Sequence, residues 1–406
     1  MSKVFQIALG IIAAIGGYVD IGDLVFNAQA GATFGYKALW ALPLGVLGIM
    51  VFAEMSGRVA AITRKPNFEL VNDHFSRRLA TFALVASLVV SVATLGAELG
   101  GLGIALNLFF DVSDQFFTVV ALVLIVLAAY LMPFEGIERL FGYMGLALLV
   151  FVAAGLKLDP NWHDLGHGFV PHGSHVTLYW YIVVGLVAAA LMPYEIYFYS
   201  SGAIEEEWTE KDLGVNRANA IIGYSLGGLL AAGILVTAAQ TLQPRGINPT
   251  SLGTTVLSTQ IPYGEVGLIL ALVGIAFAIG GAAIDTAFSS AYNLAQHMGW
   301  RWGKRNKLER EPKFTASLAA TFILGFVIVQ TGVDPIELTE YAVVFSALAM
   351  PFTFLPIVLT GNNRQLMGRH VNGPLTRVLG WLYFGVVCIV AIAAPLLLIA
   401  TNGGGG

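Results

Sequence analysis

Stretches of about twenty apolar residues return along the whole 406-residue chain, and nothing else limits its fold so severely. Hydrocarbon offers no partner for a backbone N–H or C=O, so a segment that crosses it must satisfy those groups internally, as a helix does. Twenty residues rising 1.5 Å each match the ~30 Å apolar layer of a bilayer. The composition agrees: 57% of residues are hydrophobic and 11% charged, with a mean hydropathy of +0.76. A soluble globular domain is excluded. The net charge of −4 is too small to imply nucleic acid, and the single cysteine, Cys388, allows no intrachain disulfide.

Eleven spans are expected, starting near residues 4, 36, 79, 115, 138, 178, 216, 264, 314, 335 and 377. The first is read as a spanning helix and not as a cleavable signal. No connection is long enough to fold alone, so residues 1–402 form one all-α transmembrane domain. The glycines at 403–406 are set aside as a cloning scar. Loop charge tests this count. With the N-terminus in the cytoplasm, one side of the membrane collects 18 Lys and Arg, from Lys3 to Arg377, and the other only Lys37, Lys157 and Arg245. Such a bias is the positive-inside pattern, and a missed span would have mixed the two sets. The expected location is the plasma (inner) membrane, multi-pass.

Two spans break the apolar pattern. The first carries Asp20 and Asp23 in "GYVDIGD", and the sixth carries Pro193 and Glu195 in "YIVVGLVAAALMPYEIYFYSSG". A charge at mid-bilayer costs ~2.5–3.5 kcal/mol on insertion scales, and two of one sign call for a cation. Proline inside a helix removes a donor and clashes with the preceding turn. Interrupted helices five spans apart point to an inverted-repeat transporter with its site at the midplane, where unwound carbonyls can meet a cation. The two repeats would run over about 4–157 and 178–361, with an extra helix at about 377–400.

These residues resemble the Nramp family of divalent-metal transporters over about residues 8–395. "GGYVDIGDL" resembles its first-helix motif, in which Asp-Pro-Gly-Asn follows Gly-Tyr-Met, and "LMPYEIYFYS" its sixth-helix Met-Pro-His-Asn-Leu-Tyr-Leu-His-Ser. "AQAGATFGYKALW", "GAELGGLGIALNL", "FEGIERLFGYMGLALL" and "MPFTFLPIVLTGNNRQLMG" support the match. The resemblance implies two inverted five-helix repeats of leucine-transporter type, with helices one and six broken. It also implies a metal site at Asp20, Asp23, the Ala189 carbonyl and the Met192 sulfur. Several positions depart from the family. Asp23 replaces an Asn and adds a hard oxygen donor, while Met192 keeps the soft thioether that suits transition metals. Ile21 replaces the Pro, and Val343 falls where a tenth-helix Gln approaches the ion. Tyr194 replaces a His, and Leu95 one member of an acidic pair whose other member is Glu98. Proton coupling is therefore expected to be weakened or absent, with Asp20 and Glu98 as the remaining carriers.

Further polar groups carry weaker signals. Glu195 lines the vestibule or pairs with a polar group. Asp285, with Thr286 and Ser289 in span eight, forms a second cation site, a release relay or an ordinary interhelical hydrogen bond. Glu54 reaches the cytoplasmic interface. His163, His167, His172 and His175 crowd one outer loop without a fixed metal spacing, and Glu205, Glu206 and Glu207 read as a solvated helix end. The expected function is secondary transport of a divalent metal, Mn²⁺ or Fe²⁺ first, by alternating access. An uncoupled Mg²⁺ transporter is the alternative. A membrane enzyme is disfavoured, since no His-Glu-x-x-His is present, and a sensor would bind without flux. No cofactor is expected beyond the transported ion, and the partners are that ion and membrane lipid around a monomer.

Overall fold

The computed structural model describes residues 19–110, 113–304 and 310–404. The expected first half of span one, from residue 4, lies outside the described residues, as do Lys3, Arg305, Lys307 and the last two glycines. Among the described residues every regular element is a helix. The second half of span one is α1 (Ile21–Phe34). α2 (Ala41–Thr63) follows a short 3₁₀ turn at Gly35–Ala38, five residues later than the sequence pattern suggests. Pro43 falls in the first turn of α2, where its missing N–H costs nothing. A short surface helix, α3 (Asn67–His74), leads into α4 (Arg77–Phe110) and α5 (Asp114–Leu131). α6 (Phe134–Gly145) and α7 (Leu149–Lys157) are joined by a 3₁₀ turn into span five.

α8 (Trp162–Gly168) lies in the loop between spans five and six. Span six is split: α9 (Thr177–Ala189) stops, and α10 (Pro193–Glu205) restarts with Pro193 at its first position. α11 (Leu213–Ala218) and α12 (Tyr224–Thr241) form span seven across a π turn at Asn219–Gly223.

Span eight gains a segment that the hydropathy pattern does not show. α13 (Leu252–Met298) is two helical segments joined at Gly264, where the span is expected to start and whose φ of 59° and ψ of −144° only glycine adopts readily. The segment before the kink is helical because Ser251 caps it, accepting from the Thr254 N–H, and because Leu252, Thr255, Val256 and Thr259 bury one face. α14 (Pro312–Gln330), α15 (Pro335–Gly361), the short α16 (Arg364–Met367) and α17 (Pro374–Ala400) complete the chain. Among the described residues ten spans are long and apolar enough to cross a membrane.

Burial divides these spans. The α9–α10 stretch is 89% buried, whereas the α5, α14 and α17 windows are 28% buried. The broken span is therefore central and the last three are lipid-facing. Around it pack α1, α2, α15 and α17, with α4 lying between α13 and α15.

Candidate ion site at the two helix breaks

The site is built from the ends of helices. Asp20 is extended (φ −90°, ψ −174°) and caps α1, its Oδ1 accepting from the Asp23 N–H at 2.9 Å. Its other oxygen accepts from the Tyr194 hydroxyl at 3.1 Å, which ties the start of α1 to the first turn of α10. Asp20 is thus both a cap and a carboxylate aimed at the second break. Capping does not exhaust it, since each oxygen carries two lone pairs.

Gly22 shows how close the breaks come. A methyl group there would stand 3.0 Å from Asp20 Oδ1, 3.1 Å from Val343 Cγ2 and 3.5 Å from Ala189 Cβ. The positions taken from the resemblance, Asp20, Ala189 and Val343, therefore surround one point of α1. Met192 is the N-cap residue of α10 and 1% exposed, and its sulfur accepts from the Ser346 hydroxyl at 3.0 Å. Val343 and Ser346, one turn apart on α15, form the wall facing both breaks. Ser346 is new to the site; it is one of several hydroxyls in an apolar span, and nothing in the sequence singles it out.

Asp23 is fully buried, and neither of its carboxylate oxygens has a hydrogen-bond partner among the described residues. The same is true of both Glu195 oxygens, of Glu98 Oε2 and of Asn27 Oδ1. The Asn27 amide donates to the Asp23 carbonyl at 2.8 Å. It too is absent from the sequence-based set, although it stands one turn beyond Asp23. Every unpartnered atom in this set is an acceptor. Burying acceptors without donors is costly, and at Asp23, beside Asp20, a cation would offset that cost. Among the described residues no three His, Cys, Asp or Glu side chains gather as a ready-made cage. A bound ion would therefore rest on two carboxylates completed by a carbonyl and a thioether, with Glu195 outside that set.

The remaining candidates separate. Glu98 accepts from Thr286 at 3.4 Å and lies within the field of Asp20 and Asp285. Leu95, at the position of the missing acid, packs against Gly325 of α14 and offers only carbon. Ser289 donates to the Tyr194 carbonyl at 2.6 Å, not toward Asp285. Thr286 and Ser289 thus make interhelical hydrogen bonds to two different helices, the plainest of the alternatives for this stretch. Glu54 does not reach the interface freely: it pairs with Arg58 at 2.9 and 3.0 Å, and Arg58 also holds the His370 carbonyl and Asn372 Oδ1. The acidic run is likewise engaged. Glu205 accepts from Tyr292 at 2.8 Å and from the Lys304 N–H, and Glu206 from the Trp208 indole at 2.7 Å. At the opposite end of the bundle, Glu340 of α15 accepts from Gln29 of α1 at 2.7 Å and from Tyr181 of α9 at 3.4 Å.

The family model for natural resistance-associated macrophage protein-like (Nramp) proteins matches residues 10–397. Divalent metal cation transporter MntH of Staphylococcus haemolyticus is 26% identical over 97% of this chain and 91% of its own length. MntH of Deinococcus radiodurans is 26% identical over 95% and 88%. A crystal structure of the Eremococcus coleocola manganese transporter superposes with a TM-score of 0.73 at 18% identity, covering 98% of this chain and 87% of that one. MhsT in complex with L-phenylalanine gives 0.61 at 16% identity, covering 96% and 98%. These likenesses establish the broken-helix, leucine-transporter type of fold, and the match over nearly the whole length places the chain in the Nramp family of multi-pass membrane transporters.

Proposed function

We propose that this protein carries a divalent transition-metal ion, Mn²⁺ or Fe²⁺ first, across the plasma membrane by alternating access. One observation carries the reading. Asp23 is a fully buried carboxylate without a donor, set beside Asp20 where α1 meets the break between α9 and α10. Asp20, Asp23, the Ala189 carbonyl and Met192 would hold the ion. The Ser346 hydroxyl would release the sulfur as the ion arrives. The carboxylates supply charge, and the thioether favours borderline-soft ions over Mg²⁺ and Ca²⁺. That similar proteins are divalent metal and manganese transporters supports the cargo. Two inverted halves, about 4–157 and 178–361, would rock around this point.

Proton coupling is weakened or absent in this mechanism. Tyr194 spends its hydroxyl on Asp20, and Leu95 is packed in carbon. Transport does not need the proton. A divalent ion crossing 100 mV gains ~4.6 kcal/mol, enough for roughly thousandfold accumulation.

A second reading, an uncoupled Mg²⁺ transporter, is favoured by Asp23 in place of an amide and by Val343 against Gly22. Flux decides between them. Mn²⁺ uptake into proteoliposomes at fixed potential, with Mg²⁺ in large excess and an internal pH dye, should persist without acidification. Uptake abolished by Mg²⁺ would overturn the transition-metal reading, and acidification the uncoupled one.

A further inference from the structure

We infer that α8 carries a separate binding site for a borderline divalent ion of the Zn²⁺, Cu²⁺ or Ni²⁺ class, formed by His163 and His167 with Asp164 as a third donor. The sequence shows four histidines without a fixed spacing; the structure supplies one. His163 and His167 stand one turn apart on the same face of α8, their ring centroids 4.4 Å apart. Side chains at i and i+4 on a helix are neighbours, so both imidazoles can turn a nitrogen toward one ion. Asp164 adds an oxygen: His163 Nδ1 lies 3.5 Å from Asp164 Oδ1. An ion about 2.1 Å from each would subtend roughly 110° between them, close to the tetrahedral angle.

Three further features bear on the site. The helix is held in place, since Asn161 caps it, accepting from the His163 and Asp164 N–H groups and donating to Asp164 Oδ2 at 2.7 Å. The rings are free to turn, since the His163 side chain is 78% and the Asp164 side chain 62% exposed. Ring rotation is needed, because no three-ligand cage is preformed among the described residues. A third imidazole nitrogen, His172 Nδ1, is buried without a partner among the described residues. Its segment borders the same 3₁₀ turn as α8: Tyr179 bridges the Lys37 and His172 carbonyls, while Gly168 abuts the backbone of Tyr36. That turn continues α1 from the central site. By the Lys and Arg distribution, this is the outer face. Imidazole with one carboxylate suits Zn²⁺, Cu²⁺ and Ni²⁺ better than Mg²⁺ or Ca²⁺.

The site is independent of the proposed cargo, and its test excludes the central site. Full-length, tag-free protein carrying Asp20→Ala and Asp23→Ala is titrated with Cu²⁺ and followed by electron paramagnetic resonance. One Cu²⁺ should bind with superhyperfine structure from two nitrogens. His163→Ala or His167→Ala should each weaken binding about 100-fold, the loss expected when a chelate becomes a single ligand, and His175→Ala should leave it unchanged. Because these side chains are exposed, each variant should keep the parent's unfolding temperature, and that is checked alongside. An unchanged spectrum in the His163→Ala, His167→Ala double variant, or a loss as large in His175→Ala, would overturn the assignment.

Discussion

Replacing Asp23 by Asn should move stability and metal binding in opposite directions. In the ion-free protein the Asp23 carboxylate accepts no hydrogen bond from any described residue, and it lies in a fully buried site beside Asp20. Asn has the same shape and no charge, and the backbone bond from Asn27 to the Asp23 carbonyl does not involve the side chain. Removing a buried, unpaired charge and its repulsion with Asp20, and adding an amide N–H that can donate to that carboxylate, should raise apo stability by about 1–3 kcal/mol. The ion loses a charged ligand, which costs about 3 kcal/mol and weakens binding about 100-fold. At a Mn²⁺ concentration 100 times the parent Kd, bound metal stabilises the parent by about 2.7 kcal/mol, and after a 100-fold loss of affinity by about 0.4 kcal/mol. Thermal unfolding in detergent, with and without Mn²⁺, reads both effects. The variant should melt higher than the parent without metal and show a much smaller metal-induced shift. An unchanged shift would remove Asp23 from the ligand set, and a lower apo midpoint would mean that another group already compensates its carboxylate.

Other perturbations test the neighbouring parts. Met192→Ala should lower discrimination against Mg²⁺ and Ca²⁺ in competition uptake, with Mn²⁺ flux retained; unchanged selectivity would take the sulfur out of the site. Tyr194→Phe removes one hydrogen bond to Asp20, about 1 kcal/mol, so Mn²⁺ affinity should change by no more than about tenfold and the pH dependence of uptake should not move. Gly22→Ala places a methyl 3.0 Å from Asp20 Oδ1 and 3.1 Å from Val343; uptake should fall steeply while the protein still folds, because Ala is the better helix former by about 1 kcal/mol. Arg58→Ala leaves Glu54 unpaired and frees the His370–Asn372 segment. It should cost about 3 kcal/mol, read as a lower unfolding temperature.

The fold was legible because a bilayer permits so little. Apolar length and the paired interruptions at Asp20–Asp23 and Pro193 leave few alternatives for the spans and the broken helices. Boundaries fared worse where a helix starts outside the apolar run. α13 begins at Leu252 because a serine cap and a narrow buried stripe suffice, and hydropathy is blind to both. The two aspartates of the proposed ion site were visible as anomalies in apolar spans. Ser346 and Asn27 were not, since a single hydroxyl or amide in a helix is ordinary until another helix is packed against it. The partners of Glu205 and Ser289 lie 87 and 95 residues away, so the solvated-end reading of the acidic run followed from local context alone, while Ser289 meets the interhelical hydrogen bond that was one of the alternatives for span eight. His163 and His167 are the converse case. Their spacing is in the sequence, but only a helix at Trp162–Gly168 turns it into a shared face.

One ion where the two helix breaks meet is the centre of the proposed mechanism, and anomalous diffraction at the manganese edge, from crystals soaked in Mn²⁺, tests it most directly. A single strong peak is expected within bonding distance of Asp20, Asp23, the Ala189 carbonyl and the Met192 sulfur, absent in Asp20→Ala. A peak elsewhere in the membrane region, or none at the breaks under saturating Mn²⁺, would contradict it.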